Sequence, residues 1–181
     1  MYHNTEQEFY NWLAGFVDGD GCFSISLNLR GTSMHVGFSI LIGVKYKDAF
    51  AIEYLHQRCN VGHIYRHMLD TPDAKISWQT TNMAHSIEIA QKLIPYLVVK
   101  KEKAIKFLET ALWYQSTCRA VDGKRAKATR VRSNADMKRV VQCAIDLNYD
   151  RQVVRYRNKK GMDYWNKTID MLYPIDTAIQ C

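Results

Sequence analysis

The chain has 181 residues, 47% apolar and 24% charged, enough for an ordinary globular domain with a sizeable core. That composition excludes collagen-like, disordered and low-complexity classes, and a chain of this length needs no disulfide staples. Lys and Arg number 25 against 18 Asp and Glu, a net charge of +7, and the excess is local: residues 97–140 carry 12 basic and 4 acidic side chains, while residues 1–96 are net −2. A stretch of one sign with so little compensation suits the phosphates of a polyanion better than a merely solvated face. The five cysteines fall at irregular spacings with no Cys-x-x-Cys, so free thiols in a reducing, intracellular compartment are expected. The N-terminus, MYHNTEQEFY, has neither the apolar core of a signal peptide nor an Arg-rich transit pattern, and no apolar run reaches membrane-spanning length. No membrane partner is expected.

In chain order, Thr5 and Glu8 stand at capping-box spacing and open a helix that runs to about Val17, where Gly15, Gly19 and Gly21 break it. Residues 22–30 alternate, with Phe23, Ile25, Leu27 and Leu29 opposite Ser24, Ser26, Asn28 and Arg30. After a Gly31-Thr32-Ser33 turn, residues 34–46 alternate again, which predicts a hairpin of half-buried strands. Asp48 is placed to cap a helix to about Cys59, ended by Asn60-Val61-Gly62. Residues 63–68 form a third strand with His63, Tyr65 and His67 on one side. Asp70-Thr71-Pro72-Asp73 is a turn, and residues 74–80 form a fourth strand with Lys75, Ser77 and Gln79 opposite Ile76, Trp78 and Thr80. Asn82 caps a helix that Pro95 ends, and Lys101 to about Gln115 is helical. Residues 116–132 form a polar basic loop, Ser133 caps a helix to about Leu147, and a weaker helical region lies within 150–173. The fold class is α+β: αββαββα, then helices, with a four-stranded antiparallel sheet carrying helices on one face.

The chemistry-bearing stretch is Leu13-Ala14-Gly15-Phe16-Val17-Asp18-Gly19-Asp20-Gly21. It sets two carboxylates at the C-terminal end of a helix, where partial negative charge already accumulates, so a cation is needed to compensate. Mg²⁺ suits the place, since it takes one or two carboxylates together with waters and phosphate oxygens. An EF-hand loop is excluded, because its sixth position would be Phe23 rather than Gly and its twelfth Leu29 rather than Glu. A Gly-rich helix stop with two solvated aspartates, or an Asp-x-Asp metal site of the glycosyltransferase kind, stays open on spacing alone.

The nine residues LAGFVDGDG resemble the LAGLIDADG motif of homing endonucleases: six are identical, Phe16 and Val17 are conservative changes, and Gly19 is small for small. The αββαββα order is similar to that family's over roughly residues 5–115. One motif copy in 181 residues resembles the single-motif, homodimeric branch. This implies a single domain over 1–181, with a saddle-like sheet in a core at about 5–115 and a helical extension at about 116–175. The resemblance implies a dimer face of Trp12, Gly15, Phe16 and Gly19, spaced i, i+3, i+4 and i+7. It makes Asp20 a metal ligand, with the Gly19 carbonyl as a second contribution and Asp18 in helix-end hydrogen bonds. Pro95-Tyr96-Leu97-Val98-Val99-Lys100 fits the family's basic residue after a Pro-aromatic-Leu turn, so Lys100 is expected near the attacking water or the phosphate. Relatives often carry a Gln at the end of the second strand, and here it is absent. Tyr46, counted back from Val61-Gly62, or Lys45, by strand alternation, takes its place in ordering solvent. The implied reaction is Mg²⁺-dependent hydrolysis of both DNA strands, leaving short 3′ overhangs, with Mn²⁺ or Ca²⁺ able to replace Mg²⁺ for binding.

The candidate base readers on the polar sheet face are Ser24, Ser26, Asn28, Arg30, His35, Ser39, His63, Tyr65, His67, Lys75, Ser77 and Gln79. An Arg30 contact would favour guanine, and Asn28 or Gln79 adenine. A two-fold dimer implies a long, near-palindromic double-stranded site, with the basic 119–139 segment on backbone phosphates. His56, Cys59, His63 and His67 are not read as a zinc set. His63 and His67 lie roughly 13 Å apart along a strand, whereas zinc ligands converge at about 2 Å from the metal. Two rivals share the scaffold. One is an RNA maturase that assists splicing of intron RNA, which the missing Gln favours slightly. The other is a non-cleaving DNA-binding regulator, against which intact Asp20 and Lys100 speak. The resemblance makes an organellar genome, chloroplast or mitochondrial, the expected source.

Overall fold

In the computed structural model, which describes residues 5–31, 33–117, 133–148 and 162–173, helix α1 (Glu6–Asp20) begins at its capping box. Thr5 Oγ1 accepts from the Glu8 N–H at 3.1 Å, and the Glu8 carboxylate accepts from the Thr5 N–H at 3.1 Å. Its buried face is Phe9, Tyr10, Leu13, Ala14 and Val17, at helical spacing. The helix does not stop at Val17 as expected but runs on to Asp20. The glycines there do not break it, because its last carbonyls find a distant donor described below.

Strands β1 (Gly21–Arg30) and β2 (Ser33–Lys45) follow, joined at Gly31, whose φ of +58° is glycine territory. A 3₁₀ turn over Tyr46–Asp48 leads into α2 (Ala49–Cys59). Asp48 occupies the N-cap of α2, yet its side chain makes no capping hydrogen bond, contrary to expectation. Asn60 closes α2 in the left-handed region at φ 52°. Strands β3 (His63–His67) and β4 (Lys75–Gln79) complete a sheet of order β1-β2-β4-β3. Gly62 has φ +88°, and the Trp78 indole fills the space a Cβ would need, while Trp78 Nε1–H donates to the Val61 carbonyl at 2.8 Å. Helix α3 (Met83–Leu93) starts where the Asn82 side chain accepts the His85 N–H at 2.9 Å. Then come α4 (Lys101–Ser116), α5 (Asn134–Asn148) and α6 (Met162–Leu172). The expected basic loop lies outside the described residues over 118–132.

The chain divides into two compact units. In the first (residues 1–24 and 37–109), Leu13, Val17, Phe23, Ile40, Ile42, Ile52, Leu55, Ile76, Trp78, Leu93 and Phe107 are fully buried. Each such side chain contributes about 1.5–3 kcal/mol over the exposed state. Phe107 meets the rings of Phe23 and Phe38 at 5.4 and 5.8 Å. Its buried hydroxyls are satisfied: Ser86 donates to the Phe38 carbonyl at 2.8 Å, Thr80 and Ser86 share a hydrogen bond at 2.7 Å, and Thr80 accepts the Ile40 N–H at 2.9 Å. Helix α2 packs against β3 and β4, and Arg66 reaches Glu53 of that helix at 3.2 Å. The other face of β3 and β4 keeps His63, Tyr65, His67 and Lys75 exposed.

The second unit comprises residues 25–36 and 110–181. Ser133 caps α5 by accepting the Asp136 N–H at 3.1 Å. Met137, Val140, Val141, Ala144, Trp165 and Ile169 are buried in this unit. Arg139 lies over the Trp113 ring at 4.2 Å, a cation–π contact. Lys138 pairs with Asp170 at 2.7 Å, and the Met34 N–H donates to the Tyr173 phenol oxygen at 3.4 Å.

Candidate active site

A helix leaves its last carbonyls without intrahelical partners and concentrates partial negative charge there. At the end of α1 the Lys100 ammonium meets this need. Its Nζ donates to the carbonyls of Val17 at 2.8 Å, Asp18 at 2.7 Å and Gly19 at 3.2 Å. Asp18 returns the favour to α4. Its carboxylate accepts the N–H groups of Val98 at 2.8 Å, Val99 at 3.1 Å and Lys100 at 2.8 Å, ahead of the first turn of that helix. The ammonium sits at a C-terminus and the carboxylate at an N-terminus, each in the favourable sense of the helix dipole. The turn that delivers Lys100 is held by the buried Leu97 and by Tyr96 and Leu97 N–H groups on the Leu93 carbonyl, at 2.9 and 3.1 Å.

Burial works to raise the Asp18 carboxyl, but the Val98, Lys100 and Val99 N–H groups and the Lys100 charge outweigh it and hold the group below the ordinary carboxylate range. Burial pushes the Lys100 ammonium below the ordinary lysine range, against the attraction of Asp18.

Asp20, two residues on, has a different environment. It is exposed at the last position of α1, and among the described residues its carboxylate makes no hydrogen bond or ion pair. It lines an open cavity of about 550 Å³ together with Lys45, Asp48, His67, Lys75 and Ser77. The side chain of Asp48 that is not spent on capping α2 is on that wall.

Of the residues singled out in the sequence, the fold brings Asp20, Lys45, His67, Lys75 and Ser77 to one cavity. Tyr46 does not line it; it is 40% exposed and its N–H is held by the Ala74 carbonyl at 2.9 Å. Lys100 lies in the tie between α1 and α4 rather than on the cavity wall, and the Gly19 carbonyl faces its ammonium. In the first unit His63, Tyr65, His67 and Lys75 are exposed, Ser24 and Gln79 are half-buried, and Ser39 and Ser77, at 9%, have little surface to offer. In the second unit Ser26, Asn28, Arg30 and His35 are exposed. On α1, Trp12 and Phe16 are half-buried with rings 5.4 Å apart, and a Cβ added at Gly15 or Gly19 would meet nothing within 4 Å. Asp48 was missed as a cavity residue, because an Asp before a helix reads as a cap. The tie through Asp18 was visible only as a helix-end role.

Among the described residues no three His, Cys, Asp or Glu side chains converge as a metal cage. A hard cation at Asp20 would take one carboxylate from this chain and complete its shell from water and phosphate oxygens, which is how Mg²⁺ is commonly held. An exposed, uncommitted carboxylate fits that mode.

A model of the family described as LAGLIDADG endonuclease matches residues 13–116. Among solved structures, the homing endonuclease I-CvuI in complex with DNA in the presence of 2 mM Mg is 16% identical, with a TM-score of 0.72 over 92% of this chain and 95% of that one. The archaeal intron-encoded homing endonuclease I-Vdi141I complexed with DNA is 17% identical, with a TM-score of 0.69 over 93% and 98%. The group I intron-encoded homing endonuclease I-CeuI complexed with DNA is 15% identical, with a TM-score of 0.63 over 93% and 79%. At these identities the likeness is one of fold.

Proposed function

The chain belongs to the LAGLIDADG endonuclease family, and on that premise we propose that it is a homodimeric homing endonuclease that hydrolyses both strands of a long, near-palindromic DNA site. The observation that carries the reading is the split between the two motif aspartates. Asp18 is consumed in joining α1 to α4, while Asp20 is left exposed and uncommitted beside Lys45 and Lys75. A fold that needed both carboxylates for stability would partner both.

Phosphodiester hydrolysis requires a nucleophilic water, charge stabilisation at the pentavalent phosphate and a neutralised leaving oxygen. A divalent ion, Mg²⁺ by its oxygen ligands, supplies activation of water and Lewis acidity when bound. Asp20 is the residue that would hold it. The tie through Lys100 fixes the last turn of α1, and therefore the direction of Asp20, before DNA arrives. Lys45 adds fixed positive charge in the same cavity, at the strand end where relatives often carry Gln. Lys100 serves as a positioning residue in this reading, since its three N–H donors are all engaged by carbonyls.

The second copy is supported by the half-buried outer face of α1. Trp12 and Phe16 present apolar surface beside Gly15 and Gly19, which leave room for a close backbone approach. Two copies would place two Asp20 side chains at neighbouring scissile phosphates on opposite strands, which yields short 3′ overhangs when the cuts span the minor groove. Exposed side chains of the sheet face such as Asn28, Arg30 and His63 supply the base contacts.

The test is a cleavage selection. The full chain and Asp20→Asn are offered, with Mg²⁺, a library of long randomised duplexes. Recovery of one near-palindromic site, cut by the wild type and only bound by the variant, supports the reading. Cutting by Asp20→Asn at the wild-type rate sinks the assignment. Bound but uncut DNA with both proteins would favour a regulator, and no duplex binding at all would favour intron RNA.

A further inference from the structure

Sheet register aligns three basic side chains in one row: Lys45 of β2 is paired with Lys75 of β4, and Lys75 is paired in turn with His67 of β3. Directly opposed residues on one face hold their Cβ atoms about 5 Å apart, and like charges set opposite one another destabilise a sheet. The carboxylates of Asp20 and Asp48 line the same cavity, but neither pairs with these lysines. Both ammoniums are exposed, and among the described residues neither has an ion-pair partner. The three residues line the cavity that also holds Asp20. Beside them the next row is low at two of its three positions: Gly43 has no side chain and Ser77 opposite it is small and 9% exposed, while Tyr65 at the β3 end stands 40% exposed with its ring stacked on His67 at 6.3 Å. Two ammoniums and an imidazole that face one open space, beside carboxylates that suit a cation, offer the donors of an anion seat.

We infer that Lys45, Lys75 and His67 together hold a backbone phosphate of duplex DNA beside Asp20, and that Lys75 and His67 do not read base edges. The inference rests on the endonuclease reading above. It has a consequence that base reading lacks. A phosphate contact is blind to sequence, so losing it weakens every duplex alike and lowers the dependence of binding on salt. Losing a base contact relaxes discrimination at one position instead.

Binding of the full-length wild type and of Lys45→Gln, Lys75→Gln and His67→Gln is measured over a range of KCl. The probes are the duplex recovered in the cleavage selection and a scrambled duplex of equal length. Each lysine substitution is expected to lower the slope of log K against log salt by about 0.9 on both duplexes. The ratio of the two affinities stays at the wild-type value for all three variants. Lys75→Arg keeps the wild-type slope, and thermal melting of the Gln variants stays level or rises as like-charge repulsion is removed. The seat is overturned if Lys75→Gln or His67→Gln lowers affinity for the selected site alone, or if the lysine variants leave the slope unchanged while the wild type binds and cuts. A wild type that binds neither duplex overturns the endonuclease reading, and the seat with it.

Discussion

Asp18 and Asp20 stand two residues apart on one helix, and the fold treats them in opposite ways. Around Asp18 every polar group has a partner: three N–H groups converge on the carboxylate, and three carbonyls converge on the Lys100 ammonium. Around Asp20 the charges stand open: its own carboxylate and that of Asp48, two lysines directly across the sheet from each other, and an imidazole, all on one cavity wall. The first arrangement converts helix-end dipoles into stability. The second gives up stability to hold charge ready for a ligand. The comparison separates residues that build the site from residues that meet the substrate, although both kinds lie within one motif.

The largest expected effect tests the open side. Asp20→Asn should lose cleavage by at least about 10²–10³-fold, the usual cost of removing one charge-stabilising group from a site of this kind. Its free energy of unfolding in urea should stay at the wild-type value, within about 0.5 kcal/mol. Asp18→Ala inverts the result at the level of stability, costing about 1–2 kcal/mol through the lost cap on α4. If Asp20→Asn unfolds as early as Asp18→Ala, the contrast between the two aspartates is wrong.

Lysines give the next test. Lys100→Met leaves three carbonyls, two of them part-buried, without their charged donor and should cost about 1.5–3 kcal/mol. Lys45→Met removes an exposed ammonium that opposes Lys75 and should lie within about ±0.5 kcal/mol of wild type, on the stabilising side. Because Asp18 and Lys100 tie the same two helix ends, the double variant Asp18→Ala/Lys100→Met should be less destabilised than the sum of the singles, by about 0.5–3 kcal/mol. Additive losses would mean that the two ties act separately.

What was legible in the sequence follows the range of the interaction responsible. The capping box at Thr5 and Glu8, the Asn82 cap and the Ser133 cap are local pairings, and each forms as its spacing predicts. Alternation placed Phe23, Ile25, Phe38, Ile40, Ile76 and Trp78 on the buried face, because period two is also local. The end of α1 was misread because the donor that carries the helix past Val17 is Lys100, more than 80 residues away. Asp48 was misread for a related reason: a side chain at an N-cap position is free to turn elsewhere once a 3₁₀ turn sets the helix entry. The row of Lys45, Lys75 and His67 depends on register between three strands, and their alternation gives the face but not the partner. The division into two units was not visible at all, since the second unit joins residues 25–36 to the chain beyond residue 110.

Asp170 asks whether partnering alone stabilises, or partnering together with burial. Its carboxylate accepts hydrogen bonds from Lys138 Nζ at 2.7 Å and Asn134 Nδ2 at 2.9 Å, and these hold it below the ordinary carboxylate range. Unlike the carboxylate of Asp18, it has solvent rather than a packed turn around it. A carboxyl with a lowered folded-state pKa contributes stability that is fully present above its unfolded pKa and is lost as pH falls through the folded value. Asp170→Asn should therefore melt slightly earlier than wild type at neutral pH, and the two curves should merge in acid once the wild-type carboxyl is protonated. Added salt should shrink the neutral-pH difference, because an exposed pair is screened. The shift should be much smaller than that of Asp18→Ala. If Asp170→Asn instead matches Asp18→Ala and resists salt, then hydrogen-bond partnering accounts for both sites. In that case the packed turn between α3 and α4 adds nothing to the tie.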